Sequence, residues 1–154
     1  MRNTRHKILV VDDERDIASL HAIIHESQGY ETAMAYSGEE AVQVADSFQP
    51  HCIVSDVMMG TMNGIEAAVE ILGRLPRCKV LFISGNLGYG DLLAKARAKG
   101  FTFEALDKPV TPFEVLAKIA EILSDTAGPN RKPAPSKYAA CAGARNRGSH
   151  LPER

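Results

Sequence analysis

Residues 6–14 have the sequence His-Lys-Ile-Leu-Val-Val-Asp-Asp-Glu, in which a short apolar run ends abruptly in three acidic side chains. The apolar part is continuous rather than alternating, and it is rich in β-branched residues. Such a run is typical of a strand that is buried on both faces of a parallel sheet. We therefore predict a parallel sheet with Asp12 and Asp13 at the carboxyl end of its first strand.

The sequence that follows repeats a strand-then-helix pattern, five units in all within the first 124 residues. We predict strands at 6–11, 30–35, 51–55, 78–83 and 103–106. Helices are indicated by apolar stripes at helical spacing: Ile17, Leu20 and Ile24; Val42, Ala45 and Phe48; Ile65, Ala68 and Leu72; Leu92, Leu93 and Ala96; Phe113, Leu116, Ala117, Ala120 and Leu123. This alternation predicts an α/β fold, a doubly wound sheet with helices on both faces.

Two helix starts carry a capping signature. Ser37 with Glu40, and Thr111 with Glu114, match the capping box, in which each side chain satisfies a free amide of the first turn. Pro112 stands at the first helical position, where its missing N–H costs nothing.

Charge divides the chain near residue 125. Residues 1–124 contain 12 Lys and Arg against 17 Asp and Glu, a net charge of −5, whereas residues 125–154 contain 6 against 2, a net charge of +4. The second segment is rich in proline and alanine and poor in large apolar residues. We therefore expect one domain at 1–124 and a disordered basic tail at 125–154. The overall charge of −1 gives no basic field for nucleic acid.

Apolar run length, the N-terminal sequence and the cysteines indicate the cellular compartment. The longest apolar runs span four or five residues, against about 20 for a membrane helix, and the N-terminus lacks the pattern of a signal peptide. Cys52, Cys78 and Cys141 form neither a disulfide framework nor a zinc motif. We expect a cytoplasmic protein in which Cys52 and Cys78 are small buried residues.

Polar residues follow the predicted strands where ligands bind in doubly wound sheets. Asp12 and Asp13 follow the first strand, Asp56 the third, Ser84 the fourth and Lys108 the fifth. Three gathered carboxylates repel one another unless a cation joins them, and Mg²⁺ prefers such oxygen ligands. A lysine and a hydroxyl beside them would bind phosphoryl oxygens, and an aspartate is able to form an acyl phosphate.

Each residue also has a simpler interpretation when taken alone. Asp13 would be a helix N-cap, Ser84 a turn residue and Lys108 a solvated side chain. His21 and His25 have metal-ligand spacing, but no third ligand is apparent, so a solvated or half-buried pair is favoured.

The ordered set of motifs resembles the receiver domain of two-component response regulators across residues 6–124. These motifs are Asp12-Asp13, the segment 56–64 (Asp-Val-Met-Met-Gly-Thr-Met-Asn-Gly), Ser84-Gly85 and Lys108-Pro109. The resemblance implies a flavodoxin-like (βα)5 sandwich with a five-stranded parallel sheet in the order 2-1-3-4-5.

The resemblance also implies roles for the residues at the strand ends. Asp56 would accept a phosphoryl group from a histidine kinase or phosphotransfer protein, while Ser84 and Lys108 would each bind a phosphoryl oxygen. The Lys108–Pro109 bond is expected to be cis.

A magnesium site is implied by the same resemblance. Asp13, Asp56 and the backbone carbonyl of Met58 would bind Mg²⁺ directly, and Asp12 would hold it mainly through water.

Three departures from the family pattern bear on signalling. Gly60 stands in place of a proline, Ala105 in place of the usual switch aromatic, and Val110 in place of a phenylalanine. Ala105 motivates an alternative function, a binding module whose conformation ignores phosphorylation. A phosphohydrolase is disfavoured because position 58, which holds a second carboxylate in such enzymes, is methionine.

The functional expectation is therefore a single-domain response regulator and not an enzyme acting on other molecules. The segment after residue 124 is too short and polar for a DNA-binding output domain, so we expect protein–protein contact or phosphate relay. By resemblance, the partner surface is the fourth helix, fifth strand and fifth helix, through which a homodimer is possible.

Overall fold

The computed structural model describes residues 5–85, 89–101 and 103–124. Five strands and five helices alternate along the chain: β1 (Lys7–Val11), α1 (Arg15–Ser27), β2 (Glu31–Ala35), α2 (Gly38–Phe48), β3 (Cys52–Asp56), α3 (Gly64–Arg74), β4 (Lys79–Ser84), α4 (Tyr89–Ala98), β5 (Glu104–Asp107) and α5 (Pro112–Leu123). The expected disordered tail at 125–154 lies outside the described residues.

All strand pairs in the sheet are parallel, and the order is β2-β1-β3-β4-β5. The doubly wound fold and the predicted strand order are therefore confirmed. Strand order reverses beside β1, so the carboxyl ends of β1 and β3 lie next to each other at the edge where ligands bind in such sheets.

The two faces of the sheet have separate cores. One core joins the sheet to α2, α3 and α4, with Phe82 and Ile71 among its fully buried members. The other joins it to α1 and α5 and includes Val115 and Ile119. The central strands are buried on both faces, which explains why their sequences are continuously apolar.

The predicted buried faces of the two helices on the second core are wrong. In α1 the buried residues include Ala18 and Ala22, whereas Ile17 and Leu20 of the predicted stripe are exposed. Both helices carry apolar residues on more than one face, so helical spacing alone allows several phases.

In α5 the buried face comprises Val115, Lys118, Ile119 and Ile122, whereas Phe113 is 67% exposed. The predicted stripe of α5 contained none of these four buried residues. Val115, Ile119 and Ile122 also have helical spacing, so the apolar pattern allowed this face as well, but the ion-paired Lys118 at a core position argued against it.

The histidine pair on α1 also differs from expectation. His21 is half-buried, as predicted, but His25 is fully buried. The expectation of a solvated or half-buried pair is therefore wrong for His25.

Helix caps follow the sequence closely. Thr111 and Glu114 form the predicted capping box, with Pro112 at the first helical position. Ser37 caps α2 by accepting the Glu40 N–H at 3.0 Å, but the Glu40 carboxylate accepts the N–H of Tyr36 instead of that of Ser37.

Both described cysteines, Cys52 and Cys78, are free and buried, as predicted.

Candidate functional site

The predicted site residues meet at one edge of the sheet. Asp12 directly follows β1, Asp56 ends β3, Ser84 ends β4, and Lys108 follows β5. Ser84 pairs in register with the last residue of β5, and the Lys108 N–H donates to the Ser84 carbonyl oxygen at 3.0 Å. The strand ends thus bring together residues that lie far apart in sequence.

Three carboxylates form the acidic part of this edge. Asp12, Asp13 and Asp56 each offer an oxygen, and these oxygens lie within 4.8 Å of one another. Asp12 is buried, Asp56 is half-buried and Asp13 is exposed. The arrangement combines hard oxygen donors with an open side, which fits a Mg²⁺ ion that retains part of its water shell.

The pKa of Asp12 reflects its burial and the repulsion among these carboxylates. Burial raises the pKa of Asp12 above its ordinary value, and repulsion from Asp56 and Asp13 raises it further. The Glu14 N–H, which donates to Oδ1 of Asp12 at 2.9 Å, opposes this rise, as does the positive charge of Lys108. A divalent cation among these carboxylates would relieve the repulsion.

Asp13 is not the N-cap of α1. That position is taken by Glu14, whose side chain makes no capping hydrogen bond. The capping interpretation of Asp13 is therefore wrong, and its exposed carboxylate stands at the acidic edge without a role in starting the helix.

Both carboxylate oxygens of Asp56 have partners. Nζ of Lys108 lies 3.5 Å from Oδ2, and the Met58 N–H donates to Oδ1 at 3.3 Å. The Asp56 side chain is only 16% exposed, whereas that of Lys108 is 44% exposed. The Lys108–Pro109 peptide bond is cis, as expected.

The chain after Asp56 is held close to the site by its own backbone. The Gly64 N–H donates to the Val57 carbonyl at 2.7 Å, and a side chain at Gly64 would collide with the Asp56 carbonyl oxygen. Asn63 and Glu66 form a second complete capping box at the start of α3, which was not predicted although its spacing is visible in the sequence. This turn fixes the carboxyl end of β3.

A recess of about 600 Å³ opens beside Asp56 and Lys108. Its walls, which the sequence did not predict, come from α1, from β4 and from the segment between β5 and the first residue of α5: Ile17, Leu20, His21, Ile83, Val110 and Pro112. Ile17 and Leu20 are apolar residues visible in the sequence of α1, but the apolar stripe predicted for this helix assigned both of them to the core.

Ser84 and Ala105 lie on the neighbouring strands β4 and β5. Ser84 is buried at the end of β4. Ala105 is half-buried on β5, in register with Phe82, and packs against the core beneath α4. The position of the expected aromatic therefore holds only a methyl group.

The sequence model of the response regulator receiver domain matches residues 8–120. The chain belongs to the response regulator receiver family. Receiver domains are signalling modules of two-component systems that interact with histidine kinases and bind Mg²⁺ at an acidic pocket, here the cluster of Asp12, Asp13 and Asp56.

Curated relatives of this receiver are longer proteins. The alkaline phosphatase synthesis transcriptional regulatory protein PhoP of Bacillus subtilis is 34% identical over 129 residues, which cover 80% of this chain and 52% of that protein. The DNA-binding response regulator MtrA of Mycolicibacterium smegmatis is 29% identical, covering 77% of this chain and 51% of that protein. The chain thus spans about half the length of these relatives.

Solved structures include receivers of nearly matching extent. The chemotaxis protein CheY4 of Vibrio cholerae has a TM-score of 0.67 and 26% identity, covering 77% of this chain and 99% of that one. A CheY-like receiver domain protein of Methanospirillum hungatei has a TM-score of 0.71 and 25% identity, covering 79% of this chain and 95% of that one.

None of the helices in the described ranges combines the length and apolar character that a bilayer crossing needs.

Proposed function

We propose that this receiver accepts a phosphoryl group on Asp56 from a histidine kinase or phosphotransfer protein, and that the modified domain switches protein–protein contacts or relays the phosphoryl group. The observation that carries the proposal is the convergence of Asp56, 3.5 Å from the Lys108 ammonium, with the carboxylates of Asp12 and Asp13.

The chemistry is a transfer between two nucleophiles. A carboxylate oxygen of Asp56 forms a bond to phosphorus while the bond from phosphorus to the donor's imidazole nitrogen breaks, and the imidazole leaves with the bonding electron pair. Lys108 and the Ser84 hydroxyl bind phosphoryl oxygens and stabilise their charge. The domain in this proposal assists only its own phosphorylation and dephosphorylation.

The metal ligands in this proposal are the carboxylates of Asp13 and Asp56 and the backbone carbonyl of Met58, with Asp12 acting mainly through water. Bound Mg²⁺ supplies positive charge that offsets the carboxylates and the incoming phosphoryl oxygens. Asp12 orients the site by accepting the Glu14 N–H, which fixes its carboxylate at the start of α1.

Incubation with phosphoramidate and Mg²⁺ tests the proposal. Intact-mass measurement should show the addition of one phosphoryl group, lost on chelation of Mg²⁺ and in Asp56→Asn. The matched control is Asp46→Asn, since Asp46 is an exposed aspartate of α2 that pairs with Arg74. If the folded wild type remains unlabelled, or if Asp56→Asn labels normally, the proposal is wrong.

Partner contacts are proposed for the face formed by α4, β5 and α5, which also offers a surface for a homodimer. On this face Lys118 of α5 forms an ion pair with Glu104 of β5 at 3.3 Å, which links the two elements. We place the exchange in the cytoplasm, consistent with the free thiols of Cys52 and Cys78.

Ala105 supports a second candidate, a protein-binding module whose partner face ignores phosphorylation. Amide chemical shifts recorded with and without beryllofluoride distinguish the two. Shifts that reach α4 and α5 support the switch, whereas shifts confined to the strand ends around Asp56 support the insensitive module.

A further inference from the structure

His25 is a polar side chain in an apolar place. It lies in the last turn of α1 on the face that packs against the sheet, with 0% of its surface exposed. Neither Nδ1 nor Nε2 of its ring has a hydrogen-bond partner among the described residues. Since buried polar groups are nearly always hydrogen-bonded, this ring is an exception that calls for an explanation.

The groups around the ring supply no stabilising negative charge. Its ring neighbours are His21, with centroids 5.7 Å apart, and Tyr30, with centroids 6.5 Å apart, both in edge-on arrangements. Burial raises the pKa values of the Tyr30 hydroxyl and the nearby Cys52 thiol, so both are neutral at physiological pH.

The elements packed against α1 are β1, β2 and α5. Their charged groups have other partners or face solvent: Lys7 donates to the Phe48 carbonyl, Glu31 is exposed, Glu114 accepts from the Thr111 N–H, and Lys118 pairs with Glu104 and Glu121. A protonated His25 ring would thus be a buried cation without a counter-ion, which is strongly unfavourable.

We propose that His25 makes the docking of α1 on the sheet sensitive to acid. The second half of α1 docks only while the His25 imidazole is neutral. Acidification then releases the second half of α1 and the turn to β2, residues 21–30, before the central strands open. The carbonyl of His25 also accepts the N–H groups of Gln28 and Tyr30, so this turn moves with it.

The sign of the effect follows from proton linkage. Burial lowers the pKa of His25 from 6.5 to about 4, and the neighbouring His21 contributes a smaller part of this decrease. Between pH 4 and pH 6.5 the released state binds more protons than the docked state. Docking is therefore at full strength above pH 6.5 and weakens as the pH falls towards 4. From His25 alone the opening equilibrium should rise by about 20-fold between pH 7 and pH 5, and His21, whose pKa burial also lowers, adds to this rise.

The device is connected to the site at the sheet edge. α1 begins three residues after Asp12, and His21 lines the recess beside Asp56. Release of residues 21–30 would therefore withdraw His21 from that recess while Ile17 and Leu20 stay in place, independently of whether a phosphoryl group is bound.

Amide hydrogen exchange and imidazole NMR of the full chain test the proposal without metal. After correction for intrinsic rates, protection of Ala22 and Ile24 should fall at least about 20-fold from pH 7 to pH 5. Ile71 in α3 should change much less. The His25 ring should show no titration near pH 6.5 while the helix stays docked.

Two variants separate this device from general acid sensitivity. His25→Leu should abolish most of the pH dependence in α1, whereas His6→Gln, at an exposed histidine, should retain it. A His25 ring that titrates near 6.5 in the docked wild type, or unchanged α1 protection at pH 5, would overturn the proposal even if His25→Leu does not fold.

Discussion

In the proposed phosphotransfer, Lys108 is the residue that binds the phosphoryl group most directly. Its ammonium lies 3.5 Å from Oδ2 of Asp56, and the main chain at Lys108 is tied to the Ser84 carbonyl. A cation held at this point is aimed at charge that develops on the transferred group, where electrostatic stabilisation is large.

We predict that Lys108→Ala slows labelling of Asp56 by phosphoramidate by about 100-fold, because one preorganised charged donor is lost. Labelling rates from intact mass, with Mg²⁺ saturating, measure the effect. Lys99→Ala serves as control, because Lys99 is an exposed lysine that directly follows α4. Equal rates for Lys108→Ala and wild type would contradict the assignment.

Asp12 illustrates a conflict between fold stability and the proposed metal binding at a single residue. Its carboxylate is buried and faces two other carboxylates, and both effects raise its pKa. Its ionised form therefore destabilises the metal-free fold at neutral pH, and that cost diminishes as protonation occurs at lower pH.

We predict that Asp12→Asn stabilises the metal-free protein by about 1 kcal/mol at pH 7, because the amide oxygen still accepts the Glu14 N–H but carries no charge. Urea unfolding in EDTA measures this change. Mg²⁺ affinity should fall in the same variant, and a loss of metal-free stability would count against repulsion at Asp12.

Among the elements, the turn from β3 to α3 is tightly constrained. Gly64 begins α3 directly against the carboxyl end of β3, and its backbone N–H donates to Val57. Gly60 in the same turn has open space around it, so the two glycines form a matched pair.

We predict that Gly64→Ala destabilises the domain by about 2 kcal/mol, because the new methyl group collides with the Asp56 carbonyl oxygen and the backbone must shift. Gly60→Ala should change the free energy of unfolding by less than about 0.5 kcal/mol. Chemical denaturation of both variants measures the contrast, and similar stabilities would show that the turn accommodates a Cβ at either position.

The sequence predicted the strands of this fold but not the buried faces of two of its helices. The strands and the strand ends at Asp12, Asp56, Ser84 and Lys108 were predictable, because a doubly buried strand has a distinctive pattern and its carboxyl end is where ligands bind. The buried faces of α1 and α5 were not. Alanines at Ala18 and Ala22 allow close packing on the sheet, and that close approach is a tertiary effect that apolar spacing does not encode.

His25 was mispredicted for a related reason. Its burial depends on which face of α1 meets β1 and β2, and the histidine itself carries no local signal of that choice. The distances within the site, such as the 3.5 Å between Lys108 and Asp56, likewise depend on strand register and not on motif order.

At the scale of the whole molecule, the acidic cluster predicts a dependence of stability on Mg²⁺. A ligand that binds only the folded state stabilises it, by about 1.4 kcal/mol at ten times its dissociation constant. Thermal unfolding should therefore shift upward with Mg²⁺ in the wild type and shift much less in Asp13→Asn. An Asp13→Asn shift equal to that of the wild type would argue against Asp13 as a ligand.

The wide separation of the site residues along the chain has a consequence for biosynthesis. Asp56 and Lys108 are 52 residues apart, and the strand that leads to Lys108 is the last strand of the described residues to be made. A nascent chain on the ribosome therefore carries an incomplete acceptor until β5 has left the exit tunnel and paired with β4. In the proposed phosphotransfer, a chain therefore becomes a complete acceptor only after translation has passed Lys108, and shorter nascent chains lack the lysine that faces Asp56.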